Sequence, residues 1–446
     1  MSRHAISDNI IFSHDCVTKA QLQRQCKNLA YKQHTFSQLS VQDRSHLLLA
    51  LAQKIELNKN SLAYQICIEV GRCLRECEAE INKSIALIRY YAHLAPELLA
   101  NKTIATQASL SQVRFEPLGT LLAIMPWNYP IWQILRFAIP ALCAGNACMI
   151  KPAPTVGQVS QMLFELVDEQ LPFELVWLNT DDTETAIAQT QALAFTGSAA
   201  TGRQLASMAG KYLRKSVLEL GGSNAFIVLD DADIEQAAQD ACYSRFRDAG
   251  QSCNAAKRII VCTEVADKFI TALVKHTQKL KMGAPWLAET TLGPLHRADL
   301  RQQVHAQVTD AVEHGATCLV GGNIPEYEQG WFYPATILDN VNPACRVYHE
   351  EVFGPVASIL RAKDSLHAIA LANDNPYGLG ASIYTQNNQH AWDLARQLTV
   401  GSVFINRHTS SDLRLPFGGV KDSGFGRELS EFGIYEFVNV KSYWQK

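Results

Sequence analysis

From residue 121 onward, short apolar runs of strand length alternate with helix-length stretches, and this alternation constrains the fold more than any other feature of the chain. The runs fall at 121–125, 147–150, 175–178 and 192–195, and a second block continues at 225–229, 258–262, 317–320 and 356–360. Apolar residues at consecutive positions mean strands covered on both faces, as in parallel sheets flanked by helices. The expected class is therefore α/β, with two doubly wound open-sheet units meeting near Gly221–Gly222. Such sheets bind ligands beyond the carboxyl ends of their strands, and a nucleotide is the expected guest.

The first hundred residues are different in texture. Leu47, Leu48, Leu51 and Ile55 recur at helical spacing within 41–57, and Ile85, Ile88, Tyr91 and Leu94 do so within 83–98. With 446 residues, two or three packed units are expected, and 47% hydrophobic against 19% charged residues argues for a compact chain. A formal net charge of -3 without a run of five like charges leaves nothing to hold a phosphate backbone, so no nucleic acid partner is expected. The amino terminus is polar, and the apolar segments are broken by Pro or Gly. No membrane association is expected, and the location expected is cytoplasmic. The 12 cysteines form no CxxC pair, so they are expected to be reduced thiols, most of them buried as small hydrophobes, with no metal assigned.

Cys253 is the exception. In Asp248-Ala249-Gly250-Gln251-Ser252-Cys253-Asn254 the thiol lies among small and polar residues just before a strand, with Arg247 in the same segment. Nearby positive charge and backbone N–H groups activate a thiolate nucleophile. Glu219 ends an apolar run and precedes Gly221 and Gly222, where it is suited to activate water or to be a plain turn carboxylate. Asn128, between Pro126 and Pro130 at the carboxyl end of a strand, is placed as an oxyanion donor or as a turn residue. Phe195-Thr196-Gly197-Ser198 ends a strand and opens a helix, whose first N–H groups suit a pyrophosphate.

In this order, the strings Pro126-Trp127-Asn128-Tyr129-Pro130, Lys151-Pro152-Ala153, Phe195-Thr196-Gly197-Ser198, Glu219-Leu220-Gly221-Gly222, Gly250-Gln251-Ser252-Cys253, Glu350 to Val356 and Pro416-Phe417-Gly418-Gly419 resemble the aldehyde dehydrogenase superfamily. The resemblance runs from about Glu116 to the C-terminus. It implies Cys253 as nucleophile, Glu219 as general base and Asn128 as oxyanion donor. It also implies NAD or NADP held by Trp127, Lys151, Gly197, Ser198, Glu351 and Phe353. The implied architecture is a nucleotide-binding domain of residues 1–98 and 118–221, a catalytic domain of 222–423, and a small β bridging element of 99–117 and 424–446 that joins subunits into a homodimer or homotetramer.

Arg136, Arg247 and Ser411 resemble the carboxylate clamp of succinate-semialdehyde dehydrogenases, implying a small anionic aldehyde as substrate. Two guanidinium groups near the thiol favour an anion through charge-assisted hydrogen bonds. The competing reading makes both arginines structural ion-pair partners facing away from the pocket. Glutarate semialdehyde is a close alternative substrate. An acylating enzyme using coenzyme A and a non-catalytic binding protein on the same fold are the rival classes. Pro154 stands where many NAD-preferring members carry a Glu, so a 2′-phosphate meets no carboxylate there.

Overall fold

The computed structural model describes residues 1–326 and 329–446. Strands Thr120–Ile124, Ala147–Lys151, Ala192–Thr196 and Lys215–Glu219 form the parallel centre of a six-stranded sheet. Phe173–Leu175 closes one edge, and Gly424–Phe425 runs antiparallel along the other. Successive side chains of a strand point to opposite faces. Leu121, Ala123, Cys148 and Ile150 thus share a core with the helices Val41–Leu57, Leu74–Leu98 and Pro130–Cys143. Leu122, Met149, Leu193 and Phe195 face Lys19–Ser37 and Ala199–Lys211 instead. Burying one such Leu or Phe contributes about 1.5–3 kcal/mol, against about 0.2–1 kcal/mol for an exposed pair such as Arg89–Glu56. Apolar layering therefore holds the frame.

A second, seven-stranded sheet has the order Thr317–Val320, Thr336–Asp339, Val356–Ala362, Ala256–Cys262, Asn224–Val228, Gly380–Tyr384 and Ser402–Ile405, parallel except at its first strand. Val438–Gln445, Leu110–Pro117 and Lys102–Thr103 make a separate antiparallel sheet. The expected α/β class with two parallel sheets and a small β element is what the chain adopts. Among the described residues, no helix is long and apolar enough to cross a membrane.

Three local expectations shift. The run 175–178 enters the sheet as Phe173–Leu175, because the chain turns away after Val176 and the Trp177 carbonyl accepts from Val17 N–H at 2.9 Å. The helix expected over 83–98 starts at Leu74, where Glu76 reaches back to the Cys73 N–H at 3.2 Å; its polar first turns hide that start from an apolar count. Within 424–446, Gly424–Phe425 extends the six-stranded sheet and Ser430–Tyr435 is helical, so only Val438–Gln445 pairs with Leu110–Pro117.

Candidate active site

The strand Thr120–Ile124 runs into Pro126 and Pro130, and Pro130 opens the helix Pro130–Cys143, where its missing N–H costs nothing. That helix has no side-chain cap of its own. Glu80, from the helix Leu74–Leu98, accepts instead from the N–H groups of Ile131 at 3.0 Å and Trp132 at 2.9 Å. All 14 residues of the helix are buried, and Arg136 is thereby carried into the interior at 2% exposure.

The loop bearing Cys253 is held in a strained shape. Asp248 and Ala249 have φ of 56° and 52°, a region that costs a residue with a Cβ about 1–3 kcal/mol. Arg72 fastens it: Nε donates to Asp248 Oδ1 at 2.6 Å, Nη1 to the Asn128 carbonyl at 3.1 Å and Nη2 to the Glu76 carbonyl at 3.2 Å. The same guanidinium pairs with Glu80 and stands 4.1 Å over the Tyr129 ring, whose hydroxyl donates to Asp248. Burial pushes the Asp248 carboxyl up, but Arg72 and Arg247 outweigh it and hold the group below its usual range. Arg72→Met is expected to cost about 3–5 kcal/mol, because removing one partner strands buried carboxylates. The measurement is the thermal midpoint, and an unchanged midpoint would remove Arg72 from this role.

Asn128 lies against the same loop, its Nδ2 donating to the Gln251 carbonyl at 3.0 Å. One of its two amide hydrogens is thus engaged and the second is left for a ligand. Lys257, four residues after Cys253 and 2% exposed, donates to the Cys253 carbonyl at 2.9 Å, to the Gly222 carbonyl and to Glu351. Burial pushes the Cys253 thiol up, Lys257 and Arg136 draw it down, and Glu351 and Glu219 oppose them, so these groups share one electrostatic field. Glu219 ends its strand at 3% exposure with Oε1 unpartnered. A Cβ at Gly418 would come within 2.7 Å of that oxygen, which is why the turn needs glycine there. Burial and the neighbouring Glu428 hold the Glu219 carboxyl well above the usual range, the condition for a base working near neutrality.

Cys253 opens on a cavity of about 580 Å³ that is also lined by Lys83, Arg136, Arg247 and Ser411. Arg136 Nε is 2.5 Å from Glu428 and its guanidinium lies 5.0 Å over Phe417. Arg247 Nε is 3.8 Å from Asp248, and its guanidinium is 5.4 Å from the Tyr243 ring. Each arginine has an acidic partner, yet both border the cavity, so the reading in which they face away does not hold. Asn128 and Glu219 are not on the wall of this cavity; Asn128 bonds to the cysteine loop at Gln251, and Glu219 lies close enough to act on the Cys253 thiol.

The residues expected to hold a nucleotide lie at or against the carboxyl ends of the first sheet's strands. Lys151 ends its strand, half-buried, with burial lowering its ammonium. Gly197 follows the strand Ala192–Thr196, and exposed Ser198 caps the helix Ala199–Lys211 through Thr201 N–H at 3.3 Å, leaving earlier first-turn donors open. Trp127 stacks on His296 at 4.2 Å and meets Phe353 edge-on at 5.8 Å. Glu351 accepts from Gly222 N–H at 3.2 Å, and a Cβ at Gly221 would collide with its other oxygen at 2.3 Å. An open helix N-terminus, an ammonium and a carboxylate are groups that fit the phosphates and hydroxyls of a dinucleotide.

Sequence reasoning missed Arg72, Lys83, Lys257 and Glu428. The available signal was placement: Lys257 and Arg258 head an otherwise apolar strand, where charges are rarely buried without partners.

The sequence pattern of the aldehyde dehydrogenase family matches residues 2–443. A probable succinate-semialdehyde dehydrogenase [NADP(+)] of Synechocystis sp. is 42% identical over 92% of this chain and 91% of its own length. A succinate semialdehyde dehydrogenase [NAD(P)+] of Escherichia coli is 40% identical over 90% and 88%. The crystal structure of succinic semialdehyde dehydrogenase from Streptococcus pyogenes with NADP+ superposes at a TM-score of 0.96, with 32% identity and 99% of both chains covered.

Proposed function

The chain belongs to the aldehyde dehydrogenase family and is an NAD(P)-dependent oxidoreductase; from that premise we propose that it oxidises succinate semialdehyde to succinate through a thioester on Cys253. The observation that carries this reading is the single cavity joining Cys253 to Arg136, Arg247 and Ser411. The names of the relatives point to the same substrate.

In this reading Cys253 attacks the aldehyde carbonyl as the thiolate, its proton having left to solvent through the cavity, and the free amide hydrogen of Asn128 and the Cys253 N–H hold the oxyanion, a contribution of about 3–4 kcal/mol. A bound nicotinamide would supply the acceptor for the hydride that leaves the former aldehyde carbon as the thioester forms. Glu219 then takes a proton from water, the hydroxide attacks the thioester, and the acid leaves as the thiol is restored. Trp127, Lys151, Gly197, Ser198, Glu351 and Phe353 hold the dinucleotide. Pro154, exposed at the start of the turn Pro154–Val156, brings no carboxylate against a 2′-phosphate, in line with NADP(+) in the relatives' names.

Residues 1–98 and 118–221 are read as the nucleotide-binding domain, 222–423 as the catalytic domain, and 99–117 with 424–446 as the bridge. Val438–Gln445 is an edge strand with Val440 and Trp444 exposed, which supports a homodimer or homotetramer. A cytoplasmic enzyme without a nucleic acid partner suits the composition.

The test is initial rates of cofactor reduction with succinate semialdehyde, glutarate semialdehyde and butanal, each with NAD and NADP. Succinate semialdehyde is expected to exceed butanal about tenfold or more in kcat/KM. Equal efficiencies would overturn the anionic substrate, and a clear preference for glutarate semialdehyde would favour the longer chain.

A further inference from the structure

Lys83 projects from the helix Leu74–Leu98 into the cavity on which Cys253 opens. Its Nζ donates to Ser411 Oγ and stands 4.2 Å from the Trp132 ring centroid. Neither partner is an acid. Glu80, one turn back, already pairs with Arg72 and accepts from Ile131 and Trp132. Glu428 answers Arg136, and Asp248 answers Arg247. Arg75, the other basic residue of this helix on the cavity wall, is exposed. Arg136 and Arg247 also stand near aromatic rings, and Arg136 Nη2 has no hydrogen-bond partner, but each has a carboxylate within ion-pair distance, and among the described residues Lys83 has none.

We propose that Lys83, steadied by Ser411, is a further residue that receives the distal carboxylate of the substrate, beside Arg136 and Arg247. This rests on the anionic-aldehyde reading above. An ammonium has three donors, and the one given to Ser411 leaves two for a carboxylate. Lys83 is half-buried, and a partly desolvated charge without a counter-ion is unfavourable until an anion arrives to relieve it.

Electrostatics makes the assignment readable in solution. Burial, then Arg136 and Arg247, lower the Lys83 ammonium to about 8, with Cys253 and Glu80 acting in the opposite direction. The groups facing it are Glu80, Glu76 and Arg75 of its own helix, Arg136 of Pro130–Cys143, Arg247 and Asp248 of the cysteine loop, and Cys253 itself. A guanidinium group does not titrate in the working range of an enzyme. Cys253 ionisation alters the rate for every aldehyde, whereas loss of the Lys83 proton above about pH 8 weakens binding of anionic ones alone.

The experiment compares wild type, Lys83→Met and Lys83→Arg on succinate semialdehyde and butanal across pH, with calorimetric binding of succinate as a readout independent of turnover. Lys83→Met is expected to raise KM for succinate semialdehyde about 10- to 150-fold, to weaken succinate binding similarly, and to change butanal oxidation far less. Lys83→Arg should recover part of the loss. Wild-type KM for the semialdehyde should climb as pH passes about 8, and that of Lys83→Met should stay flat. An unchanged KM in Lys83→Met, or an equal loss on butanal, would overturn the assignment while leaving the substrate reading intact. A wild type that does not distinguish the two aldehydes would instead overturn the substrate reading, and this assignment with it.

Discussion

Cys253→Ala is expected to abolish aldehyde oxidation and ester hydrolysis together, a loss on the order of 10⁴-fold or more in kcat, because the covalent step has no other nucleophile. Cys242 also borders the cavity and is the natural competitor. Burial pushes both thiols up, that of Cys242 to about 11, but at Cys253 the cations Lys257 and Arg136 act against it. Cys242→Ala should therefore keep near-wild-type turnover, measured as the steady-state rate of cofactor reduction. Substantial turnover by Cys253→Ala would sink the thioester mechanism.

Glu219→Gln is expected to separate the two halves of the reaction. A stoichiometric burst of reduced cofactor should survive, and steady-state turnover should fall about 10²- to 10⁴-fold, since an amide cannot deprotonate water. The amide has the same shape, so it fits the space that Gly418 leaves. Stability supplies a control. Burial and Glu428 raise the folded-state pKa of Glu219 above its unfolded value, so its favourable contribution is complete below the unfolded pKa and is lost as pH rises through the folded one. Glu219→Gln should thus melt no lower than wild type, with the difference moving in favour of the variant as pH rises. Near-wild-type steady-state turnover would mean that another group is the base.

Much of the frame was legible because it is local. The run 121–125 alternates between two cores at single-residue spacing, and the structure divides Leu121 from Leu122 accordingly. Cys253 before a strand, Glu219 at a strand end and Ser198 at a helix start are likewise properties of neighbouring residues. The start of Leu74–Leu98 was not legible, since Arg75 and Glu76 break the apolar count that marked the rest of the helix.

The sequence by itself determined the α/β class, the order of the strands' apolar runs and the residue types at the strand ends, all of which follow from backbone periodicity and turn chemistry within a few residues. Only the tertiary structure decided which charge meets which. Arg72 and Asp248 are 176 positions apart, and Lys83 and Ser411 are 328 apart. Buried charges must find partners in space, and no local pattern encodes a partner so distant. For the same reason, two arginines that looked equivalent along the chain enter the cavity with Glu428 and Asp248 as acidic partners, while Lys83, at the start of the stretch expected to be helical, enters it beside a hydroxyl.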